Sequence, residues 1–125
     1  MKAKPLFLAT LFALSPLVAQ AADRKDADLA MTQAASAVEA AERADAPQNA
    51  ATDYGTAQQM LMDAHVAYDA RHWTDSIIDS ENARVDANLA AARSRQARAE
   101  ATTAQLEQTV RSLREQMGVT AGGQL

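Results

Sequence analysis

A repeat of alternating four- and three-residue steps runs from residue 78 to residue 117 and constrains this chain more than any other feature. Most of its members are apolar or small; in order they are Ile78, Asn82, Val85, Leu89, Ala92, Gln96, Ala99, Thr103, Leu106, Val110, Leu113 and Met117. Such steps place side chains along one face of an α-helix, and their regular alternation is typical of a coiled coil. We call these positions the seam. At 1.5 Å per residue, a helix over residues 74–117 is about 65 Å long.

The composition of the whole chain also favours helix. Three prolines and four glycines occur in 125 residues, and aromatic residues make up only 4%. Alanine, which is abundant, is the best helix former, whereas aromatic and β-branched residues favour strands. No segment alternates between apolar and polar residues over a useful length. We therefore predict an all-α fold.

Two shorter helices precede the long one. We predict helices at about 26–46, 52–70 and 74–117, and a flexible tail over 118–125 that begins where Gly118 stops the long helix. The shorter helices carry stripes at three- and four-residue spacings: Ala27, Ala30, Ala34, Ala37, Ala41 and Ala44 in the first, and Tyr54, Ala57, Leu61, Ala64 and Tyr68 in the second. We expect an antiparallel helical hairpin or three-helix arrangement whose coiled-coil-like C-terminal helix protrudes.

The helix boundaries depend on local signals of unequal strength. Pro47 disfavours the helical conformation in the residue before it and therefore ends the first helix. Thr52 or Asp53 can cap the second helix. Thr74 or Asp75 can cap the third, but no glycine or proline marks the turn before it, and the alternative is one continuous rod.

The two halves of the seam differ in size. Four alanines, Ala83, Ala87, Ala90 and Ala91, accompany the first half, where small side chains allow the shorter helices to approach closely. Those helices are roughly 30 Å long each and cover about half of the long one. The bulky end of the seam then has no partner within the chain; its residues are Leu106, Val110, Leu113 and Met117. We predict a partner interface there, with fold-back or fraying of the stretch as the alternative.

The first residues have the pattern of an export signal. Lys2 and Lys4 precede an apolar stretch over residues 5–18, and Ala19 and Ala21 provide the small side chains that signal peptidase requires. The stretch is short for a membrane span, which needs roughly 20 apolar residues. The chain has no cysteine and so no site for a lipid anchor or a disulfide. We expect residues 1–21 to be cleaved, leaving a soluble periplasmic or secreted protein with no membrane anchor.

Charge is unevenly distributed along the chain. The formal net charge is −4, but residues 23–86 hold 13 acidic and 5 basic side chains, whereas residues 87–125 hold 5 arginines and 3 glutamates. An acidic protein is a poor match to the phosphate backbone of nucleic acids, so we expect no nucleic-acid partner. We interpret the arginines of the second range as flanking charges of a coiled coil, which set partner and register.

One group of residues suggests binding chemistry. His65, Asp69 and His72 would share one face of a continuous helix, where two imidazoles and a carboxylate can hold zinc or copper. Together with Trp73 they define an alternative function, that of a metal or small-ligand binding module. The ordinary interpretation is a solvated polar edge containing one i,i+4 pair. On that interpretation we expect no bound metal and no cofactor.

Nothing in the sequence is typical of catalysis. The chain has neither a Gly-x-Ser-x-Gly motif nor a glycine-rich phosphate loop. Paired carboxylates need a cleft that shifts their pKa values, and a thin helical bundle offers none. We expect a protein that is not an enzyme.

Several short stretches together resemble a bacterial family. They are Ala46-Pro47, then Tyr54, Ala57, Leu61, Ala64 and Tyr68 through Trp73, then Ser80, Ala83, Asp86-Ala87 and Leu89 through Ala92. This pattern resembles the family catalogued as domain of unknown function 4398, over roughly residues 28–117. The resemblance implies an alanine-rich, exported helical protein of the Gram-negative envelope, and it implies no activity. The turn at Trp73 is also similar to a tetratricopeptide hairpin, although only one repeat's length is present.

The function that these patterns favour is structural. We expect a periplasmic structural or adaptor protein that acts through helix–helix contacts. Its partner would be a second copy of the chain or another helical envelope protein.

Overall fold

The computed structural model describes residues 22–123, without the side chains of residues 119–121. The described chain contains helices and no strand: α1 is Arg24–Arg43, α2 is Ala46–Asn49, α3 is Ala51–Asp69 and α4 is Trp73–Gly122. The predicted all-α fold is confirmed. The predicted signal peptide, with Ala19 and Ala21, lies outside the described residues.

The three longer helices run up, down and up. At one end of the bundle, Arg24 at the start of α1 donates a hydrogen bond from Nε to the Tyr68 hydroxyl at the end of α3, at 2.8 Å. At the other end, Arg93 of α4 pairs with Asp53 at the start of α3, at 2.6 Å. Both α1 and α3 pack mainly against α4 and less against each other.

The bundle ends well before α4 does. Arg98 pairs with Asp45 in the turn after α1, at 2.9 Å, and residues 98–118 are all exposed. We call residues 99–118 the arm. Its twenty residues extend about 30 Å beyond the bundle, so the predicted protruding helix is confirmed.

Alanine forms nearly all of the core. The buried residues include Ala27, Ala30, Ala34 and Ala41 of α1, its C-cap Ala44, and Ala57 and Ala64 of α3, whereas Ala37, Tyr54, Leu61 and Tyr68 of the predicted stripes are half-buried. Tyr54 and Leu61 pack at the edge of this cluster. The largest fully buried side chains of the described residues are serines. Such small side chains let helix axes approach to the short end of the usual 8–10 Å range.

The face that α4 turns toward the bundle contains the four alanines predicted to lie against the shorter helices, but not the seam residues predicted to join them. Its buried residues are Ser76, Ser80, Ala83, Ala87, Ala90, Ala91 and Ser94, and we call this set the inner face. The seam was expected to receive the shorter helices in its first half, but Ile78 and Val85 are 52% and 58% exposed. At 100° per residue the first half of the seam lies on the opposite side of the helix from the inner face. Tight alanine packing selects the small stripe because bulky side chains would hold the helices apart.

The first turn also differs from its prediction. α1 ends at Arg43 rather than near residue 46, and Asp45 adopts a left-handed conformation with φ 62°. Pro47 sits in the first turn of α2, where a proline is well tolerated because its missing N–H has no helical partner. The N-cap of α3 is Ala50, which makes no side-chain capping bond. The expected caps Thr52 and Asp53 are therefore wrong.

A Schellman motif makes the second turn, which confirms a break between α3 and α4. Arg71 has φ 62°, its N–H bonds to the Tyr68 carbonyl at 2.9 Å, and the His72 N–H bonds to the Ala67 carbonyl at 2.9 Å. α4 then begins at Trp73. The expected caps Thr74 and Asp75 lie inside its first turn instead.

The long helix does not stop at Gly118, since α4 reaches Gly122. A glycine costs about 1 kcal/mol relative to alanine inside a helix but does not by itself end one. The predicted boundary of the tail at residue 118 is thus wrong. Residues 124 and 125 lie outside the described part of the chain.

Candidate interaction surface on the long helix

The arm presents the bulky end of the seam to solvent. Leu106 is 62% exposed and Met117 is 71% exposed, and Val110 and Leu113 between them are also exposed. A shallow open groove along this face is lined by Thr103, Leu106, Glu107, Val110, Arg111 and Arg114. No described residue of α1, α2 or α3 packs on these side chains. The structure therefore brings the four predicted interface residues together on one uncovered face.

The same surface continues along the bundle. Ile78, Val85 and Leu89 belong to the seam and are exposed on α4. Sequence reasoning assigned these residues to intramolecular packing and so missed them as part of the exposed surface. The sequence does contain a signal for their exposure. It is the second, unbroken series of small residues on the inner face, which already packs against the shorter helices.

A shallow groove widens this surface beside Ile78. It runs between the end of α3 and the start of α4 and is lined by Val66, Ala67, Ala70 and Ile78 together with acidic side chains. Val66 and Met62 of α3 are themselves exposed large apolar residues one helical turn apart. The apolar surface at the bundle end of the seam is therefore broader than a single stripe.

The flanking charges divide into two groups. Arg93 and Arg98 form ion pairs with Asp53 and Asp45 inside the bundle, so these two do not serve as free flanking charges as expected. Arg114 beside the seam, by contrast, makes no ion pair within residues 22–123.

Acidic residues flank the other end of the seam. Asp79 and Asp86 lie beside it on α4 and likewise make no ion pair among the described residues. Glu81 is paired with Arg84 along the helix. One end of the seam is thus bordered by carboxylates and the other carries a free arginine.

The histidines do not converge. His65 and Asp69 are exposed on α3, whereas His72 lies in the turn and its Nδ1 is 3.9 Å from a carboxylate oxygen of Asp75. Within residues 22–123, no three His, Cys, Asp or Glu side chains come together as a metal site would require. The turn at residues 70–72 separates the group that a continuous helix would have aligned.

Two of the three aromatic residues in the described chain, Tyr68 and Trp73, pack together at one corner of the bundle. Trp73 packs edge-on against Tyr68, with ring centroids 5.1 Å apart, and the Arg24 guanidinium lies 5.8 Å from the Tyr68 ring centroid. The hydrogen bond to Tyr68 raises the pKa of Arg24. Tyr54 lies at the other end of α3, where burial and the charge of Glu42 raise its pKa. The corner of Arg24, Tyr68 and Trp73 fastens the start of α1 to the turn.

Comparisons with known proteins found no matching family model, no matching curated protein and no matching solved structure. The resemblance to domain of unknown function 4398 remains an expectation from the sequence pattern. No helix within residues 22–123 has the length and apolar character to cross a membrane.

Proposed function

We propose that this protein is a non-enzymatic structural or adaptor protein of the periplasm that acts through helix–helix contacts along α4. The observation that supports the proposal is the seam, which is exposed along both the bundle and the arm while a separate inner face holds the bundle together. A helix needs only one apolar face to join a small bundle. The second face is therefore surplus to folding and suits a helical partner.

The size of the surplus surface is sufficient for binding. Full burial of a leucine-sized side chain contributes about 1.5–3 kcal/mol. Among the described residues of α4, seven large apolar side chains are 39–71% exposed, so covering each contributes roughly 1 kcal/mol. Their sum is comparable to the cost of association, estimated at about 4–15 kcal/mol. A partner that covers most of the seam is needed, and the arm alone is a weak site.

Site-specific photocrosslinking in periplasm tests the proposed mode of action. A photoreactive residue at Val110, on the seam, is expected to capture a helical partner, which is either a second copy or another envelope protein. The matched control places the same group at Gln108, which is also exposed on the arm but points away from the seam. Equal capture at both positions, or none at either, would contradict the proposal.

The location is tested separately by cell fractionation. The export pattern of residues 1–21 supports the periplasm, and we expect the mature chain there with Ala22 as its first residue. Recovery of a chain that retains these residues in the membrane fraction would contradict this part of the proposal.

A further inference from the structure

We infer that the occupant of the seam is a second copy of this chain, aligned antiparallel along the full length of α4. In this arrangement Ile78 faces Met117 of the second copy, Val85 faces Val110 and Leu89 faces Leu106. The twofold axis passes between residues 97 and 98. The inference rests on the proposed function and names the partner and its register.

Coverage of the exposed apolar side chains favours this register. The large residues of α4 that are exposed fall into two groups, one on the bundle and one on the arm, and the antiparallel alignment places each group on the other. α4 spans Trp73–Gly122, so the two helices overlap from end to end. Seam and flanking positions together supply about 20–30 residues per chain, as one side of a standard interface requires. Asn82 lies opposite Leu113, Gln96 opposite Ala99 and Thr103 opposite Ala92, and polar seam residues of this kind fix register at some cost in stability.

The charge distribution along α4 favours the same direction. Residues 73–92 carry four acids and one arginine, whereas residues 93–118 carry three glutamates and five arginines, of which Arg93 and Arg98 are already paired with Asp53 and Asp45 of the bundle. An antiparallel pair separates the two acidic halves and brings Asp79 next to Arg114 of the second copy. A parallel pair instead places the acidic halves of the two α4 helices side by side, with Glu81 next to Asp86 of the second copy. Opposite charges at such flanking positions set the orientation of coiled coils.

The bundles do not obstruct this arrangement. α1 and α3 lie on the inner face, on the opposite side of α4 from the first half of the seam. In the antiparallel dimer the two bundles stand at opposite ends and on opposite outer sides. A shorter antiparallel pair formed by the two arms alone would leave Ile78, Val85 and Leu89 uncovered.

Engineered cysteines distinguish the arrangements directly, because the chain has no native cysteine. Val85→Cys and Val110→Cys are prepared as separate proteins and treated with a short thiol crosslinker, alone and mixed. We expect a crosslinked dimer only in the mixture, since positions 85 and 110 face each other only between antiparallel copies. Val85→Cys mixed with Gln108→Cys is the matched control and is expected to give little product. Both valines are exposed, so neither substitution disturbs the core.

The other outcomes each overturn the inference. Crosslinking of Val85→Cys with itself shows a parallel pair, and crosslinking of Val110→Cys with itself shows a parallel or arm-only pair. A mature protein that remains monomeric at about 100 µM by light scattering shows that no second copy binds, while capture of a different envelope protein at Val110 would still leave the proposed function standing. Absence of capture at Val110 in the periplasm would contradict both the inferred dimer and the proposed function.

A charge reversal provides an independent readout. In the inferred register Glu107 lies beside Asp86 of the second copy, which is the one repulsive flanking contact. Glu107→Arg is expected to lower the dimer Kd about tenfold at low salt, because two repulsive contacts per dimer become attractive. Glu115→Arg, with the same charge change on a face away from the seam, is the control. An unchanged Kd indicates a parallel pair, and a raised Kd indicates the arm-only pair, in which residue 107 meets Arg114.

Discussion

Three serines are the largest fully buried side chains of the described residues, and their surroundings differ. Ser94 Oγ donates to the Ala44 carbonyl at 2.5 Å and accepts from Asn49 Nδ2 at 3.2 Å. It therefore ties α4 to both sides of the first turn. Ser76 and Ser80 have buried hydroxyls with no hydrogen-bond partner in the structure. A buried polar group without a partner costs about 1–3 kcal/mol.

Matched serine substitutions are expected to change stability in opposite directions. Ser80→Ala removes an unpartnered hydroxyl without creating a large cavity, and we expect the free energy of unfolding to rise by about 1 kcal/mol. Ser94→Ala removes two hydrogen bonds and leaves the Asn49 amide and Ala44 carbonyl short of a partner. We expect a loss of about 1–3 kcal/mol. Urea unfolding followed by circular dichroism measures both, and a loss in Ser80→Ala as large as that in Ser94→Ala would show that the Ser80 hydroxyl is satisfied.

Two residues at turns explain why the sequence signals for those turns were weak. Asp45 and Arg71 both have φ 62°, a conformation for which glycine is the usual signal. Aspartate tolerates it, whereas arginine has no special preference for it. Residue type alone therefore does not reveal that Arg71 ends α3. The Schellman hydrogen bonds hold it in place.

Gly55 is a local weak point among the helices. It lies inside α3 with no positive φ, and a Cβ built on it would meet no atom within 4 Å. Gly55→Ala is therefore expected to stabilise the fold by about 1 kcal/mol, through helix propensity and a less disordered unfolded state. Thermal unfolding followed at 222 nm would show a Tm increase of about 4 °C or more. An unchanged or lower Tm would mean that a partner occupies the space beside Gly55.

The buried face of a helix could be predicted from the sequence only where the helix carries a single stripe of apolar or small residues. α1 and α3 each have a single series of small or aromatic residues, and both series face the core. α4 carries two series with the same spacing, one small and one bulky. Periodicity cannot decide between them, and ranking by hydrophobicity selects the bulky one. The decision comes from packing, because α1 and α3 themselves present alanine and accept only a close neighbour.

The presence of two series on α4 also determined which residues of the candidate interface could be predicted. Leu106, Val110, Leu113 and Met117 were predictable because no helix in the chain is long enough to reach them. Ile78 and Val85 were not, because a nearby helix was expected to cover them. The metal hypothesis depended on a continuous helix through His72, and the turn at Arg71 removed that alignment.

At the scale of the whole molecule, an alanine core contributes little hydrophobic stabilisation per residue. Few large side chains are withdrawn from water in the bundle, and the large apolar side chains of α4 remain outside it. Burial of apolar surface is the dominant favourable term in folding. In the proposed assembly, much of the surface available for that purpose is withdrawn from water only when the partner covers α4, which would couple stability to association.

This coupling predicts a concentration-dependent unfolding temperature. For a dimer of chains this long, each tenfold increase in protein concentration is expected to raise Tm by about 3–4 °C. The triple variant Leu106→Asp, Val110→Asp and Leu113→Asp places charges on the seam without touching the bundle, and is expected to abolish that dependence while the protein remains helical.

A matched variant separates the loss of the seam from the added charge. Gln105→Asp, Gln108→Asp and Ser112→Asp add the same number of carboxylates to another exposed face of the arm. This variant is expected to keep the concentration dependence, because the seam is intact and the added charges lie outside the contact. Differential scanning calorimetry over a hundredfold range of concentration compares the two. If both variants lose the dependence equally, repulsion between charged arms accounts for the effect; if the parent chain shows none, the seam does not stabilise the fold by self-association.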